Sequence, residues 1–441
     1  MLHPEYDGLA HRAQQVLAGG PGTFSKAGSR YPQGFAPTAL VRGQGCYVTD
    51  TEGRRYLDTV AALGPILLGY GRLAVNHAIM EQLGCGTSFS LMHPLEVEVA
   101  ELLCEVLPCA EMVRWCRNGT DATHMAIRLA RDFTGRAHAI FVGYHGGAGD
   151  SYGITTDKTA GILPQLAPYN HQTTWGDLSP VPRHVYENLA LIMAEVPSFL
   201  WGTADETVRK TLEMYRDMAH AHGALFILDE IVTWPRYSLG GAQKLYDILP
   251  DLCTVSKAIA NGLPLAALVG QRQYMERLNR GDIFASYTFA GETTALAAAQ
   301  AVIAVLRDTD ALTNLQRQGQ ALGDGLQALF HEYDLPVDLL GNYARMAVRW
   351  QDVPAKATIL ELRTLWLAEM ARRGILLGTG VVFPMTCWME KDVQKILAAA
   401  EQVCDLMAFA LERGTVQDDL PCPVIQDVLA VRAWNAYSHP V

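Results

Sequence analysis

The sequence has no uninterrupted apolar run of about 18 residues, the length that a membrane-spanning helix requires. It also has no block of like charges, and its formal net charge is −11. Nucleic acids and anionic membranes attract clusters of Lys and Arg, so neither is an expected partner. The first residues lack a basic stretch followed by an apolar core, the pattern of a secretory signal. We therefore expect a cytoplasmic protein without a membrane partner.

Cysteine occurs without a pairing pattern. The nine cysteines are an odd number, and no two of them have the spacing Cys-x-x-Cys. A disulfide framework favours an even set of cysteines in a short secreted chain. The pattern therefore predicts reduced thiols in the core or on the surface, and we expect no bound metal.

What the chain does have is length and a regular alternation of patterns. Its 441 residues, 49% hydrophobic and 18% charged, suit a soluble protein that is too long for one core. From about 75 to 300, apolar strands alternate with amphipathic helices, which predicts a mostly parallel sheet covered on both faces. We predict a large α/β domain at 75–307 and a smaller α+β domain at 308–441, to which residues 1–74 contribute.

Strand and helix patterns continue on both sides of the large domain. Strands at about 39–49 and 54–58 flank the turn signal at 50–53, which predicts a hairpin. The C-terminal patterns are helices near 311–332, 357–373 and 390–411 and short strands around 345–350 and 375–383. Mixed helices and short strands of this kind are typical of a small α+β domain.

An acid and an amine stand at the ends of two neighbouring apolar segments. Asp229 ends the segment 224–229, and Lys257 follows the segment 251–256. Two such strands can place both side chains on one side of a parallel sheet. Pyridoxal phosphate needs this pair, because an amine forms the Schiff base and a carboxylate keeps the pyridine nitrogen protonated. A solvated surface lysine produces the same spacing, so the pair alone leaves both interpretations open.

Gly119 and Thr120 form a candidate phosphate site. Apolar residues from Ala122 to Phe133 fall at helical spacing, so Gly119 and Thr120 lie at the start of a helix. A helix N-terminus offers N–H groups and the positive end of the helix dipole, which suit a phosphate dianion. An ordinary N-cap by Asn118 or Thr120 explains the same residues equally well.

An aromatic residue follows the next strand pattern. Residues 139–143 have the composition of a buried strand, and Tyr144 and His145 follow it in a glycine-containing loop. An aromatic ring at the end of such a strand can stack on a flat cofactor ring. Packing in the core is the alternative role for Tyr144.

These features, in this order, resemble those of the class III (ω-) aminotransferases, and most of all the branch that contains glutamate-1-semialdehyde 2,1-aminomutase. The resemblance extends over nearly the whole chain, through segments 39–53, 56–58, 64–69, 127–136, 240–243, 250–252, 262–267 and 288–291. It implies the type I pyridoxal-phosphate fold, which is the α/β fold of the aspartate aminotransferases. It also implies pyridoxal 5'-phosphate as cofactor and a homodimer with shared active sites.

The resemblance assigns roles to single residues. Lys257 would bind the cofactor covalently and carry a proton between substrate carbons, and Asp229 would hold the pyridinium nitrogen. The other implied cofactor contacts are Gly119 and Thr120 at the phosphate, Tyr144 on the ring, His145 and Glu195 near the ring, and Thr288 at the phosphate of the partner subunit. His145 is also compatible with an ordinary loop histidine, and Thr288 with a cap of its own helix near Thr293. Arg236 matches a family arginine that is structural or at the rim of the site.

Two loops bear on the substrate. The segment 22–30 replaces the stretch in which the resembled aminomutase has a carboxylate-binding arginine, and Lys26 falls closest to that position. A lysine pairs with a carboxylate as a point charge and cannot grip it bidentately; a solvated loop lysine is the alternative. Gly380 stands where the aminomutase has a glutamate, which argues against the mutase reaction. The sequence Arg-Asn-Gly-Thr-Asp-Ala-Thr at 117–123 resembles a sub-branch often associated with polysaccharide and specialised-metabolite pathways, which implies an unusual small substrate.

Three hypotheses follow from the sequence. The first is an aminotransferase that moves an amino group between a small-molecule amino donor and a carbonyl acceptor by a ping-pong route. The second is an isomerase with the same cofactor, either a 2,1-aminomutase or an amino-acid epimerase. The third is a non-catalytic binding protein that has kept the fold, against which Lys257 and Asp229 argue because packing alone does not require them.

Overall fold

A computed structural model describes residues 8–146, 158–196, 202–378 and 380–427. Its helices are α1 (Leu9–Val16), α2 (Leu73–Cys85), α3 (Pro94–Val106), α4 (Gly119–Thr134), α5 (Arg183–Glu187), α6 (Asp205–Ala221), α7 (Gly241–Leu245), α8 (Arg272–Met275), α9 (Thr293–Asp308), α10 (Ala311–Glu332), α11 (Ile359–Arg372) and α12 (Glu390–Arg413). Short 3₁₀ turns lie between several of these helices.

The strands are β1 (Leu40–Gln44), β2 (Tyr47–Asp50), β3 (Arg55–Asp58), β4 (Met112–Cys116), β5 (His138–Val142), β6 (Asn170–Thr173), β7 (Leu189–Glu195), β8 (Leu225–Asp229), β9 (Leu252–Val255), β10 (Ala266–Gly270), β11 (Val337–Asn342), β12 (Arg345–Trp350), β13 (Ile375–Leu376) and β14 (Val381–Val382). They form three sheets of seven, four and three strands. The described residues divide into two compact units, a large unit of 73–146, 158–196 and 203–312 and a small unit of 8–72, 202 and 313–427.

The large unit is built on the seven-stranded sheet, whose strand order is β4-β10-β9-β8-β7-β5-β6. Strands β5 to β9 pair in parallel, whereas β10 is antiparallel to both of its neighbours. Every residue of β7, β8 and β9 is buried, as expected for central strands of a sheet with both faces covered. The mostly parallel sheet predicted from the sequence is therefore confirmed.

Helix α4 packs on this sheet through a cluster that joins Met125 and Leu129 to Phe141, Leu191 and Ile227. All five side chains are almost fully buried. Burying such side chains stabilises the fold by roughly 1.5–3 kcal/mol each, and the packing fixes where the N-terminus of α4 lies relative to the strand ends. The sheet thus sets the position of the helix start at Gly119.

The small unit contains the four-stranded sheet β1-β2-β3-β13 and the three-stranded sheet β11-β12-β14. Helix α11 packs against α12, β12 and β13. An aromatic cluster of Phe330, Trp350 and Trp366 lies in its core, with ring centroids 5.8–6.2 Å apart. Large aromatic side chains supply much of the buried apolar area of so small a unit.

The strand predicted at 39–49 is wrong in one respect, because it is two strands. β1 ends at Gln44 and pairs antiparallel with β2, so the chain reverses at Gly45 and Cys46. Gly45 has φ +59°, and it exchanges two backbone hydrogen bonds of 2.8 and 2.9 Å with Tyr70. An alternation of apolar and polar residues does not reveal a reversal that a distant segment stabilises. The turn predicted at 50–53 does connect β2 to β3.

Within the described part of the chain, each helix is too short or too polar to cross a bilayer.

Candidate active site

The candidate site lies at the carboxyl edge of the seven-stranded sheet. The sheet register sets Glu195 of β7 beside Asp229 of β8, and Asp229 beside Thr254 of β9. The residues predicted from the sequence follow these and neighbouring strands: Gly119 and Thr120 after β4, Tyr144 and His145 after β5, Glu195 at the end of β7, Asp229 at the end of β8 and Lys257 after β9. Ligands of open α/β sheets bind at this edge, outside the carboxyl ends of the strands.

Asp229 is held by three hydrogen bonds and is 2% exposed. Its Oδ2 lies 2.8 Å from Nδ1 of His145. Its Oδ1 accepts from the hydroxyl of Thr254 and from the backbone N–H of Ile231, both at 3.1 Å. A carboxylate with this many hydrogen-bond partners has a fixed orientation.

The buried His145 has one ring nitrogen without a hydrogen-bond partner among the described residues. Its side chain is fully buried, its Nδ1 faces Asp229, and its Nε2 is the orphan. The hydroxyl of Thr123 donates to the carbonyl oxygen of His145 at 2.9 Å, which ties the loop to helix α4. A buried polar atom without a partner costs free energy unless something outside the protein atoms satisfies it. This nitrogen therefore favours a site that receives a polar ligand.

Lys257 begins a short 3₁₀ turn, Lys257–Ala260, directly after β9 and Ser256. Its φ is +47°, in the left-handed region that non-glycine residues rarely adopt. The Ser256 hydroxyl donates to the carbonyl oxygen of Leu265 at 2.8 Å, which anchors the strand end that bears the lysine. Backbone strain of this kind persists where the surroundings hold a functional side chain in place. Lys257 lies three residues beyond Thr254, the residue that contacts Asp229.

The N-terminus of α4 comes close to the loops that follow β5 and β8. Asn118 is the N-cap, and its side-chain oxygen accepts from the N–H of Asp121 at 3.0 Å. A Cβ on Gly119 would stand 2.6 Å from Cδ1 of Ile231, and a Cβ on Gly146 would stand 2.6 Å from Oγ1 of Thr120. Gly146 has φ +101°, so a side chain there would also be strained, whereas a side chain at 119 would require Ile231 to move. The N–H groups of the first turn therefore face the carboxyl edge of the sheet at close range, as an anion site requires.

Tyr144 and Glu195 are linked through the backbone. The N–H of Tyr144 donates to Oε2 of Glu195 at 3.1 Å, and Glu195 is 5% exposed. Gly143, which precedes the tyrosine, has φ +113°, and a Cβ there would stand 2.8 Å from Cβ of Glu195. The tight turn at Gly143 thus brings the loop of Tyr144 and His145 against the end of β7.

Thr288 does not join this group within the described chain. It is exposed, in a turn that runs from residue 288 to residue 291. The alternative role considered for it, a cap of helix α9, is wrong, because the N-cap is Glu292. The Glu292 carboxylate accepts from the N–H groups of Thr294 and Ala295 at 3.1 and 2.9 Å.

The two substrate positions predicted from the sequence lie in the small unit. Lys26 is exposed at the end of a 3₁₀ turn, Phe24–Lys26. Gly380 has φ +119°, and a Cβ there would meet nothing closer than the carbonyl oxygen of Val348 at 3.9 Å. Arg30, four residues after Lys26, is by contrast buried and pairs with Asp427 at 3.8 Å. The sequence alone did not distinguish these two cations of one loop.

Glu230 is a buried residue whose role sequence reasoning missed. It is fully buried and accepts from the hydroxyl of Thr233, the N–H of Ala242, and the N–H and side-chain amide of Gln243, at 2.6–3.2 Å. Burial raises the pKa of this carboxyl, whereas its four donors act to lower it. Glu230 holds the segment around α7 next to the strand that ends in Asp229. The signal in the sequence that could have indicated this role is the Asp-Glu pair at the end of the strand. Arg236 is also fully buried, which agrees with the structural role, the first of the two considered for it.

The residues of this edge fit pyridoxal phosphate. The group needs an amine, a carboxylate for its ring nitrogen and an anion site for its phosphate. Lys257, Asp229 and the start of α4 supply these three, and the imidazole of His145 contacts the carboxylate through Nδ1 while its Nε2 is the orphan. Within the described residues there is no group of three or more His, Cys, Asp or Glu side chains arranged to hold a metal ion.

Comparisons with known proteins agree with this geometry. The chain matches the model of the family described as Aminotransferase class-III over residues 30–176 and 204–400. A glutamate-1-semialdehyde 2,1-aminomutase of Myxococcus xanthus is 35% identical over 76% of this chain and 81% of its own length. One of Methanothermobacter thermautotrophicus is 34% identical over 76% of this chain and 80% of its own length.

Two solved structures show the same fold. The FumI protein of Sphingopyxis sp., in its PLP internal aldimine form, has a TM-score of 0.83 and 24% identity, and the match covers 96% of this chain and 99% of that one. A glutamate-1-semialdehyde-aminomutase of Pseudomonas aeruginosa has a TM-score of 0.77 and 22% identity over 92% of this chain and 95% of its own. Since the family model covers most of the chain, and the relatives exceed 30% identity over three quarters of it, the chain belongs to the class III aminotransferases, a family whose cofactor is pyridoxal phosphate.

Proposed function

We propose that the protein is an aminotransferase that moves an amino group from a small amino donor to a small carbonyl acceptor at the carboxyl edge of the large sheet. The observation that carries the proposal is the buried Asp229–His145 pair, one strand away from Lys257. Neither packing nor solubility requires a buried acid, a buried imidazole with an orphan nitrogen and a strained lysine at adjacent strand ends. Pyridoxal phosphate, when bound, supplies an electron sink for the substrate carbon that bears the nitrogen.

The roles of the side chains follow from their surroundings. Lys257 would hold the cofactor covalently, and its amine would take a proton from one substrate carbon and return it to another atom. Asp229 keeps the pyridine nitrogen protonated through a charge-assisted hydrogen bond. His145 orients Asp229 through its Nδ1, and Thr254 fixes the second carboxylate oxygen.

The phosphate belongs at the start of α4. Gly119 and Thr120 are the first two residues of the helix, where backbone N–H groups point away from the helix body. The glycines at 119 and 146 keep Cβ atoms out of the contacts with Ile231 and Thr120. Tyr144, at the end of β5, is proposed to stack on the ring, and Glu195 to fix the loop that bears the tyrosine.

The choice between transfer and isomerisation depends on the small unit. Position 380 carries no side chain, and Lys26, an exposed ammonium, stands nearest to the place of the carboxylate-binding arginine of the aminomutases. Both departures support transfer. The second candidate is a 2,1-aminomutase or another isomerase with the same cofactor. It is favoured by the relatives that are 34–35% identical to this chain, because these are named glutamate-1-semialdehyde 2,1-aminomutases.

The two candidates differ in where the nitrogen goes. A panel of nitrogen-15-labelled amino donors is incubated with the cofactor-loaded protein, first alone and then with a panel of carbonyl acceptors. Transfer yields about one carbonyl product per active site from the donor alone and labelled nitrogen on the acceptor in the second stage. An isomerase instead gives a product of unchanged composition that keeps its nitrogen. Rapid conversion of glutamate-1-semialdehyde to its 5-amino isomer would overturn the preference for transfer.

An exposed apolar surface supports the proposal of a homodimer. Leu91 and Met92 are 85% and 72% exposed, and Phe284 and Phe289 are 70% and 60% exposed. The two loops are neighbours, since the backbone N–H of Thr293 donates to the carbonyl oxygen of residue 87. Exposed apolar patches of this kind mark protein interfaces. Thr288 lies in the second loop, where a partner subunit can present its own phosphate site to it.

Mixing two defective variants tests the shared site. Lys257→Ala removes the amine, and Thr288→Arg blocks the phosphate site of the partner. In a mixed dimer, one site carries both defects and the other carries neither. Activity therefore returns on mixing, to about a quarter of the wild-type value for equal amounts and full exchange. If mass spectrometry shows mixed dimers without any return of activity, Thr288 does not act across the interface.

A further inference from the structure

Two cysteines of the small unit, Cys46 and Cys387, have thiols in direct contact. Cys46 is 4% exposed and lies at the reversal between β1 and β2. Cys387 lies between β14 and α12 and is partly exposed. The two side chains are in hydrogen-bond contact. Nothing in the chemistry assigned to the carboxyl edge of the large sheet uses this pair.

The segments that bear the two thiols are held by the same short stretch of backbone. Gly45, next to Cys46, exchanges two hydrogen bonds with Tyr70, at 2.9 and 2.8 Å. The N–H of Thr386, next to Cys387, donates to the carbonyl oxygen of Leu67 at 2.9 Å. The stretch from Leu67 to Tyr70 therefore brings the two sulfur-bearing segments together.

A glycine in this stretch makes the approach possible. Gly69 has φ +89°, and a Cβ there would stand 2.6 Å from Sγ of Cys387 and 3.0 Å from the carbonyl oxygen of Gly45. No other residue fits between the Cys387 sulfur and the segment that precedes Cys46. The contact of the two thiols is thus built into the backbone and does not depend on the rotamer of a long side chain.

The two thiols have different acidities. The hydrogen bond with Cys46 lowers the pKa of Cys387, which the nearby Arg72 also lowers, whereas burial of Cys387 and the charge of Asp392 act in the opposite direction. The same hydrogen bond, together with burial, raises the pKa of Cys46. A partly exposed thiol with a lowered pKa beside a buried thiol is the arrangement of peroxide-sensitive cysteine pairs.

We propose that Cys46 and Cys387 form a peroxide-sensitive dithiol that is oxidised to a disulfide within the small unit. The Cys387 thiolate attacks one oxygen of hydrogen peroxide, the O–O bond breaks, and the leaving hydroxide takes a proton to become water. The Cys46 sulfur then attacks the sulfenic sulfur of Cys387, the S–O bond breaks, and the Cys46 proton leaves with the second water. Two thiols and one peroxide give one disulfide and two waters, and a dithiol reductant reverses the change.

The large unit contains a matched pair for comparison. Cys253 is fully buried and Cys109 is 2% exposed, and their thiols are also in hydrogen-bond contact. Burial is the first cause that raises the pKa of Cys253. Contact alone therefore does not distinguish the two pairs, and access to peroxide does. Cys85 is exposed and serves as the reference for a solitary thiol.

The test uses the full-length protein loaded with pyridoxal phosphate. It is treated with one equivalent of hydrogen peroxide, the remaining thiols are alkylated, and the non-reduced digest is examined by mass spectrometry. We expect one cross-linked peptide pair, joining Cys46 to Cys387 with the loss of two hydrogen atoms, and unmodified Cys109 and Cys253. Cys387 should react about tenfold faster than Cys85, because the thiolate is the reactive form.

The variant Cys46→Ser separates the two steps. It should leave Cys387 as a sulfenic acid that dimedone traps, whereas Cys387→Ser should leave Cys46 unreacted. Equal rates at Cys387 and Cys85 in the wild-type protein, a link between Cys109 and Cys253 instead, or oxidation of Cys387 beyond the sulfenic state with no link would each overturn the proposal. The wild-type rates and cross-links decide the matter even if a variant fails to fold.

Discussion

The large unit contains two aspartate–histidine pairs at opposite ends of neighbouring strands. Asp229 ends β8 and lies 2.8 Å from His145, while Asp251 directly precedes β9 and lies 2.9 Å from His220. Both aspartates are about 2% exposed. The histidines differ, because the side chain of His145 is fully buried and that of His220 is 47% exposed.

The difference shows that position along the strand, and not the pair itself, points to the cofactor. The side chain of His220 is partly exposed to solvent. Asp251 also accepts a hydrogen bond from the N–H of Phe226 at 2.8 Å, so this pair links the first residues of β8 and β9. His145 has no solvent and no protein partner for Nε2 among the described residues. Strand ends at the carboxyl edge are where α/β folds bind ligands.

Among changes that distinguish the carboxyl edge of the sheet from its amino edge, Lys257→Ala should cause the largest loss of turnover. The lysine follows β9 at the carboxyl edge, and its loss should reduce turnover by about 10⁴-fold or more, because the group proposed to bind the cofactor and move the proton is gone. The variant should fold, since Ala tolerates the turn about as well as Lys. Borohydride treatment followed by peptide mass mapping should show the cofactor attached to the wild-type peptide that contains residue 257 and absent from the variant. Cofactor attached elsewhere in the variant would remove Lys257 from its role.

A direct comparison of the two acids comes next. Asp229→Asn should bind the cofactor but lower turnover by about 10²-fold or more, because the ring nitrogen loses its anionic partner. Asp251→Asn, the matched change at the amino edge, should leave turnover per folded molecule unchanged and destabilise the fold by about 1–3 kcal/mol through a less well-satisfied buried contact. Turnover and urea unfolding are measured for both variants. Equal turnover for the two would show that the carboxyl-edge pair is no more than structural.

Much of the large unit could be predicted from sequence, and the reason is local. Lys257, Asp229 and the start of α4 each follow an apolar segment, and strands buried on both faces give long apolar runs. The order of the strands, and therefore the meeting of His145 with Asp229, depends on pairings between segments far apart in the sequence. Periodicity carries no information about those pairings.

The small unit was harder to predict for the same reason. The reversal at Gly45 is held by Tyr70, and the contact of Cys46 with Cys387 joins the two ends of the unit. The exposed Lys26 and the buried Arg30 belong to one polar loop, and only the pairing of Arg30 with Asp427 tells them apart. Interactions with residues distant in the sequence leave no trace in a local pattern.

The smallest expected effect is a change in stability with pH, and it concerns a third group of histidines in the large unit. At the amino ends of β5 and β6, Nδ1 of His138 lies 3.1 Å from Nε2 of His171, and the ring of His184 is 6.0 Å from that of His138. The described residues place no carboxylate in hydrogen-bond contact with His138 or His171. Burial lowers the pKa of both imidazoles, as do their histidine neighbours, and Arg131 lowers that of His138 further.

These lowered pKa values predict a pH dependence of stability. Unfolded histidine has a pKa of about 6.5, so both imidazoles are neutral in the folded and unfolded chains above that pH. As the pH falls below about 6.5, the unfolded chain takes up protons before the folded one, and the free energy of unfolding decreases.

The double variant His138→Gln, His171→Gln should flatten this decrease between pH 7.5 and 5.5 while turnover stays within about twofold of wild type. The expected change is about 1 kcal/mol at most, because both rings are partly exposed and solvent screens their charge. The exposed His331 provides the control, since His331→Gln should keep the wild-type slope; an equal flattening by that change would show that the histidine cluster has no special role.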